Sequence, residues 1–322
     1  MDALTPTRVR ALKVLPCDGF SGTAAALGEA AACGAPGGAD DQREAGEREA
    51  AFAEARLLQR LRYPHIVTCE DVFWDPERRS VLLLLEFMDG GDLQSLIDVR
   101  RTQVQAGAAE AFDAHFARRV LAAVGGALAY VHARGVLHRD VKPGNVLLTR
   151  HSQRIKLADF GIAKILETSV GASTVVGTPY YLSPEIVMGH PYGAASDCWA
   201  LGVVLYEVAA LRRPFEANNQ LALVRRICEE SPGPLPDHVE PDVRRVVEGL
   251  LAKSTAARLP LLEALRVSEA VAALVVDSAD AEPPRLGAAG ADGLAGVAGG
   301  PTEADDAVAS PSSQHSGASA ME

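Results

Sequence analysis

Apolar residues recur along this chain in two rhythms. Val9 to Leu15 and Ser80 to Phe87 are short and apolar-rich, which suits strands. Residues 48–62 set Phe52, Ala55 and Leu58 on one side of a helix, and residues 114–133 carry Val120, Val124, Leu128 and Val131 at helical spacing. Val146-Leu147-Leu148 and Ile155-Lys156-Leu157 read as two short strands flanking a polar turn. From Cys198 to Leu211 every residue is apolar or glycine except Tyr206 and Glu207. A helix of that composition must be buried on nearly all sides, and its length is short of the ~20 residues a bilayer span needs, so it predicts a core helix. Strands gather in the first part and helices in the second, which predicts two lobes of different class.

Two stretches break the pattern. Residues 17–47 are Ala- and Gly-rich without apolar periodicity and read as a flexible insertion. Residues 277–322 are Ala, Gly, Ser, Pro and acid, too poor in apolar surface to offset the entropy of ordering, and read as a disordered tail. Its serines, Ser310, Ser312, Ser313, Ser316 and Ser319, read as parts of a solvated linker. No internal repeat is visible, which argues against a solenoid or propeller.

The chain has 322 residues, 48% hydrophobic, enough for a real core in one large or two medium domains. The formal charge is −11, and residues 268–322, with nine carboxylates against Arg285 alone, hold −8 of it. The remainder is nearly balanced, so a basic nucleic-acid footprint is not expected. Five scattered cysteines, Cys17, Cys33, Cys69, Cys198 and Cys228, show no metal-ligand spacing and suggest buried thiols in a reducing compartment. The first residues have neither a basic start nor an apolar stretch, so neither a signal peptide nor a membrane partner is expected, and the reading is cytoplasmic.

The chemistry concentrates in His138-Arg139-Asp140-Val141-Lys142-Pro143-Gly144-Asn145 and Asp159-Phe160-Gly161. Singly, each piece is an ordinary loop or turn. Together they set two acids 19 residues apart, each ending a predicted element, with Lys and Asn two and five residues after the first. This resembles the catalytic loop and metal-binding motif of protein kinases. The resemblance continues through Gly177-Thr178-Pro179-Tyr180-Tyr181-Leu182-Ser183-Pro184-Glu185 and Ser196-Asp197-Cys198-Trp199-Ala200-Leu201-Gly202 to Arg258, covering about residues 9–267. It implies an α+β, bilobal protein-kinase-like fold: a truncated N-lobe over 1–88, a mainly helical C-lobe over 89–267, and the acidic tail over 268–322.

The resemblance also implies roles. Phosphoryl transfer needs positioning and charge neutralisation more than covalent chemistry. Asp140 would take the proton of the substrate hydroxyl, and Lys142 would set an ammonium near the transferring phosphate. Asn145 and Asp159 would supply oxygens to Mg²⁺. Lys13, in Ala11-Leu12-Lys13-Val14, would contact the ATP phosphates and pair with Glu54. A solvated helix-face role for Glu54 stays open beside that one. Ala11, Leu85 as gatekeeper, the backbones of Glu86 and Met88, and Leu147 would hold adenine, with Asp92 on the ribose. By residue type alone these are equally ordinary core or loop positions.

Lys142 and Gly177-Thr178 match serine/threonine rather than tyrosine kinases, with protein substrates bearing Ser or Thr. Gly177 to Ile186, Trp199 to Gly202 and Arg213 to Asn218 are similar to the NIMA-related kinase family. There Thr174 aligns with an activation-loop phosphosite, beside Thr178, and a phosphate on it would pair with Arg139. Glu185 and Arg258 match an ion pair that tethers the end of that loop.

One departure is evident. Only twelve residues precede Lys13, none of them glycine, so the Gly-rich loop that covers the phosphates is expected to be missing. Backbone N–H bonds to a charged phosphate are each worth ~1.5–3 kcal/mol, so losing two would weaken nucleotide binding roughly a hundredfold or more. Two readings follow: an ATP- and Mg²⁺-dependent protein serine/threonine kinase, or a catalytically weakened kinase-fold scaffold or fragment that lacks the phosphate-covering loop.

Overall fold

Strand alternation builds the first layer. The computed structural model describes residues 9–16, 55–56, 58–160 and 180–277. Strands β1 (Arg10–Pro16), β2 (Cys69–Asp75) and β3 (Ser80–Glu86) form an antiparallel sheet in the order β1-β3-β2. The register sets Lys13 opposite Leu83 and Ala11 opposite Leu85. On the inner face Cys69, Val81 and Leu83 are buried with Ala55, and Leu15, Leu58, Val72, Trp74 and Leu85 pack around them. Leu12, Val14 and Phe73 point outward and are exposed, as the period of two requires.

β2 was not signalled by the hydrophobic pattern, and its bulge explains why. The register shifts between Cys69 and Asp71, so the inward set changes phase from Cys69 to Val72 and Trp74. A strand with a mid-length phase change shows no clean alternation.

Helices make the second lobe. α1 (Leu93–Gln105) is capped by Asp92, whose Oδ1 accepts the Ser95 N–H at 2.8 Å. The helix expected over 114–133 is present with an interruption. α2 (Ala114–Val120) passes through a π-helical turn at Leu121–Gly125 into α3 (Gly126–His132), with every residue of the turn buried. β4 (Val146–Leu148) and β5 (Ile155–Leu157) pair antiparallel. The turn between them holds His151 and Ser152 at positive φ.

α4 (Pro184–Val187) leads to α5 (Ala194–Ala210), the expected core helix, which starts four residues earlier than the apolar run. Every side chain from Ser196 to Ala209 is buried except that of Gly202, which has none. α6 (Gln220–Glu229), α7 (Pro241–Leu250) and α8 (Leu261–Ala264) complete the lobe. α7 crosses α5 at Gly202, where a Cβ would lie 2.9 Å from the Leu250 Cβ, so only glycine permits this approach.

The structure moves one boundary. The tail expected from residue 268 begins as a helix, α9 (Glu269–Asp277), with Val271 fully buried and Leu274 packed on the core. The acid of the last 45 residues had masked its short apolar run, Val271 to Val276. Residues 17–47 and 278–322 lie outside the described residues. So does most of the helix expected over 48–62; residues 55, 56 and 58–60 are helical, and 61–62 are not. No described helix is long and apolar enough to cross a membrane. Cys69 and Cys198 are buried free thiols, and Cys228 is a partly buried one.

Candidate active site

The loop between α3 and β4 gathers the polar groups singled out by the sequence. Asp140 Oδ2 accepts from Lys142 Nζ at 2.7 Å and from Asn145 Nδ2 at 2.9 Å. Asn145 Nδ2 also donates to the Asp140 carbonyl at 2.8 Å. With its amide nitrogen so engaged, buried Asn145 keeps its amide oxygen for another partner. The geometry holds the Asp140 carboxylate in place while leaving it partly open to solvent.

The loop is braced from the core by a residue whose role the sequence did not reveal. Asp197, on the first turn of α5 and fully buried, accepts the backbone N–H of His138 at 2.9 Å and of Arg139 at 3.0 Å. It also binds His132 Nε2 at 2.7 Å and the Tyr192 hydroxyl at 2.5 Å. Burial pushes its carboxyl up, but these donors outweigh burial and hold it below the usual carboxylate range. Arg139 sits at φ +66°, a left-handed conformation that costs an ordinary residue ~1–3 kcal/mol. The Asp197 bond to its N–H helps offset that cost. The available sequence signal was a carboxylate at the head of a mostly apolar helix, since its partners lie up to 65 residues away.

His138 stitches the two acidic segments together. Its ring is fully buried, and burial lowers its pKa, so it is the neutral imidazole. Nδ1 accepts the Asp140 N–H at 3.3 Å, and Nε2 then carries the proton donated to the Ala158 carbonyl at 3.0 Å. Ala158 N–H in turn donates to the Asn145 carbonyl at 2.8 Å. The Phe160 ring packs 4.7 Å from His138, which leaves Asp159 between two anchored neighbours at φ +57°. Asp159 is thereby turned outward, half-exposed, and paired with Lys13 Nζ.

Lys13, Asp159, Phe160, Cys69, Leu83 and Leu85 line a narrow cavity between the sheet and the segment that follows β5. Ala11 lies opposite Leu85 on β1. Met88 is buried where the chain leaves the sheet, and half-buried Leu147 forms an isolated bridge with Asp92. The Glu86 side chain is committed to structure: Oε2 accepts from Lys156 Nζ at 2.7 Å and from the Thr68 N–H at 3.2 Å. Burial raises the Glu86 carboxyl, yet Lys156 and these bonds leave it below its ordinary value. Asp92 is likewise engaged, with Oδ2 accepting the Ser95 hydroxyl at 3.1 Å. Glu54, Thr174 and Thr178 lie outside the described residues; among the described residues Lys13 pairs with Asp159.

Glu185 and Arg258 are joined by a two-pronged ion pair, 2.7 and 2.9 Å, with both side chains buried. Ser196 Oγ donates to Glu185 Oε1 at 2.8 Å, and Arg258 also donates to the carbonyls of Ala195 and Ala252. Burial raises the Glu185 carboxyl, but Arg258, the Ser196 hydroxyl and a backbone N–H together outweigh it and hold it at about 2. The pair fastens α4 to the start of α5 and to the segment before α8.

The donor set suits a hard cation shared with phosphate. Asn145 offers an amide oxygen and Asp159 a half-exposed carboxylate, and Mg²⁺ is held by one or two protein oxygens with phosphate oxygens completing its shell. Among the described residues no group of three or more His, Cys, Asp or Glu is placed to hold a metal without such help.

Residues 39–268 match the protein kinase domain family, a stretch that begins after β1. The chain is 38% identical over 209 residues to the serine/threonine-protein kinase nekl-2 of Caenorhabditis elegans, covering 65% of this chain and 58% of that one. It is 39% identical to Nek5 of Mus musculus over 65% of this chain and 32% of the relative. With Nek8 of Danio rerio the identity is 39%, over 66% of this chain and 29% of the relative. The chain thus spans less than two thirds of the length of these relatives. With most of its length matched, the chain belongs to the protein kinase family, and it is similar to the NIMA-related serine/threonine kinases within it.

Proposed function

We propose that this chain transfers the γ-phosphate of ATP to serine or threonine hydroxyls of protein substrates. The observation that carries the reading is the Asp140 carboxylate, steered by Lys142 and Asn145 on a loop braced by Asp197. A carboxylate so oriented and still open to solvent is suited to accept the proton of an incoming hydroxyl. Lys142, bonded to it, sets positive charge where negative charge builds on the transferring group. Asn145 and Asp159 would hold Mg²⁺, which supplies charge neutralisation for the phosphates. Lys13, already at Asp159, would reach the same phosphates. Ala11, Leu85, Met88 and Leu147 would border the adenine, while a ribose at Asp92 would share its carboxylate with Ser95.

The test is label transfer from γ-labelled ATP to a mixture of Ser- and Thr-containing peptides, with Mg²⁺ and with chelator. Wild type is expected to incorporate label only with Mg²⁺, and Asp140→Ala to lose roughly a hundredfold or more. Phosphorylation that persists in Asp140→Ala would exclude the mechanism.

A further inference from the structure

Beside Lys142 a second cleft, of about 500 Å³, opens on the helical lobe. Among the described residues its walls are Gln94, Lys142, Gly144, Tyr180, Tyr181 and Arg213: two cations and no carboxylate. Arg213 follows the end of α5, where Leu211 takes a left-handed conformation and turns the chain. Its guanidinium carbon lies over the Tyr180 ring, 3.8 Å from the centroid. On its far side is Glu207, with Oε2 3.9 Å from Arg213 Nε.

Glu207 cannot meet a ligand itself. Its side chain is 0% exposed, and Oε1 is taken by the Tyr181 hydroxyl at 2.8 Å. Its other charged neighbours turn away: Arg101 donates to the Leu211 carbonyl at 2.6 Å and pairs with Asp98. Arg213, by contrast, keeps 31% of its side chain exposed and touches Glu207 at a distance too long for a hydrogen bond. Tyr181 takes a further share of its hydrogen bonding, yet a guanidinium has five N–H donors, so among the described residues some remain for the cleft that begins at Lys142, the partner of Asp140. Lys142 stays at Asp140, where the acceptor hydroxyl would sit, so Arg213 is the cation of the cleft left to meet a neighbouring side chain.

We propose that Arg213 selects substrates carrying an anionic side chain, carboxylate or phosphate, near the acceptor hydroxyl. The inference deepens the kinase reading by naming a substrate class for the same site. A planar guanidinium fixed by stacking loses little freedom on binding and presents paired N–H donors to such a group.

The test is fluorescence anisotropy of labelled serine peptides. Each carries one Glu, one phosphoserine or one Arg in an otherwise Ala background, scanned over four positions on either side of the serine. Wild type is expected to bind a Glu or phosphoserine peptide about three- to tenfold more tightly than the Ala peptide, the span between an exposed and a partly desolvated ion pair. Arg213→Gln should erase the gain, and Arg213→Lys should keep part of it. Glu207→Gln should keep or enlarge it, because the buried acid no longer shares the guanidinium. Should Arg213→Gln misfold around an orphaned Glu207, the double variant Arg213→Gln/Glu207→Gln removes both charges and is expected to show no gain.

No anionic preference at any position overturns the inference, as does one that survives Arg213→Gln or the double variant. A preference for the Arg peptide that Glu207→Gln removes overturns it too, assigning selection to Glu207. Binding needs no turnover, so the two readings fail separately. Anionic selection without label transfer would retire the kinase activity alone, and label transfer without selection would retire Arg213 alone.

Discussion

Glu185 and Arg258 show how much one pair of side chains can carry. Both charges are out of water, and each is satisfied by the other plus Ser196 or backbone carbonyls. Removing one partner leaves the other buried and uncompensated, at a cost of ~3–5 kcal/mol. Glu185→Gln and Arg258→Met are each expected to lower stability by about that amount in urea unfolding, and the double variant to recover part of it. The pH dependence has a definite sign. The folded carboxyl sits at about 2 against an ordinary 4.5, so its contribution is complete above pH 4.5. It is lost as pH falls from 4.5 toward 2, and Glu185→Gln should flatten the stability profile in that window. At this scale the sequence was legible where partners are near in the chain, as with Asp140, Lys142 and Asn145 within six residues. It was silent on Asp197 and its donors His132, His138 and Arg139, which only the tertiary fold brings together.

Among the elements, α5 was the most readable, because a helix wrapped by protein on all sides has little room for polar residues. α7 carries an equally plain signal: Val243, Val246, Val247 and Leu250 are its buried residues, at helical spacing, with Pro241 at its first position. β2 and the π-helical turn were hidden for one shared reason. An inserted residue shifts the phase of the apolar pattern, and periodicity alone cannot register it. The contact between α5 and α7 makes a sharp prediction. Gly202→Ala gains helix propensity of about 1 kcal/mol, but its methyl would press on the Cβ of Leu250, which has no rotamer to escape into. Overpacking of ~1–3 kcal/mol should win, giving a lower urea midpoint at unchanged slope.

Over the whole molecule, two hydrophobic clusters of unequal size meet through Leu58, which packs against both. The larger runs from Leu61 to Val271, so the last described helix belongs to the lobe it closes. Val271→Asp would bury an unpaired carboxyl against that lobe and is expected to cost several kcal/mol. A thermal melt unchanged by this substitution would show that α9 contributes nothing to the lobe's stability. The bilobal plan was legible from the order of strand-like and helix-like segments. The end of the helical lobe was not, since an acidic average over 55 residues diluted the short helix whose Val271 and Leu274 pack on the core. The seat of Asp197 has a consequence for reading mutants. A carboxylate rooted in the innermost helix holds the backbone of the reacting loop, so a substitution there disturbs solubility, expression and turnover at once. Silence of an enzyme altered at position 197 is thus no mark of a group that touches the reactants, and ranking positions by lost output alone would promote a girder to the rank of a tool.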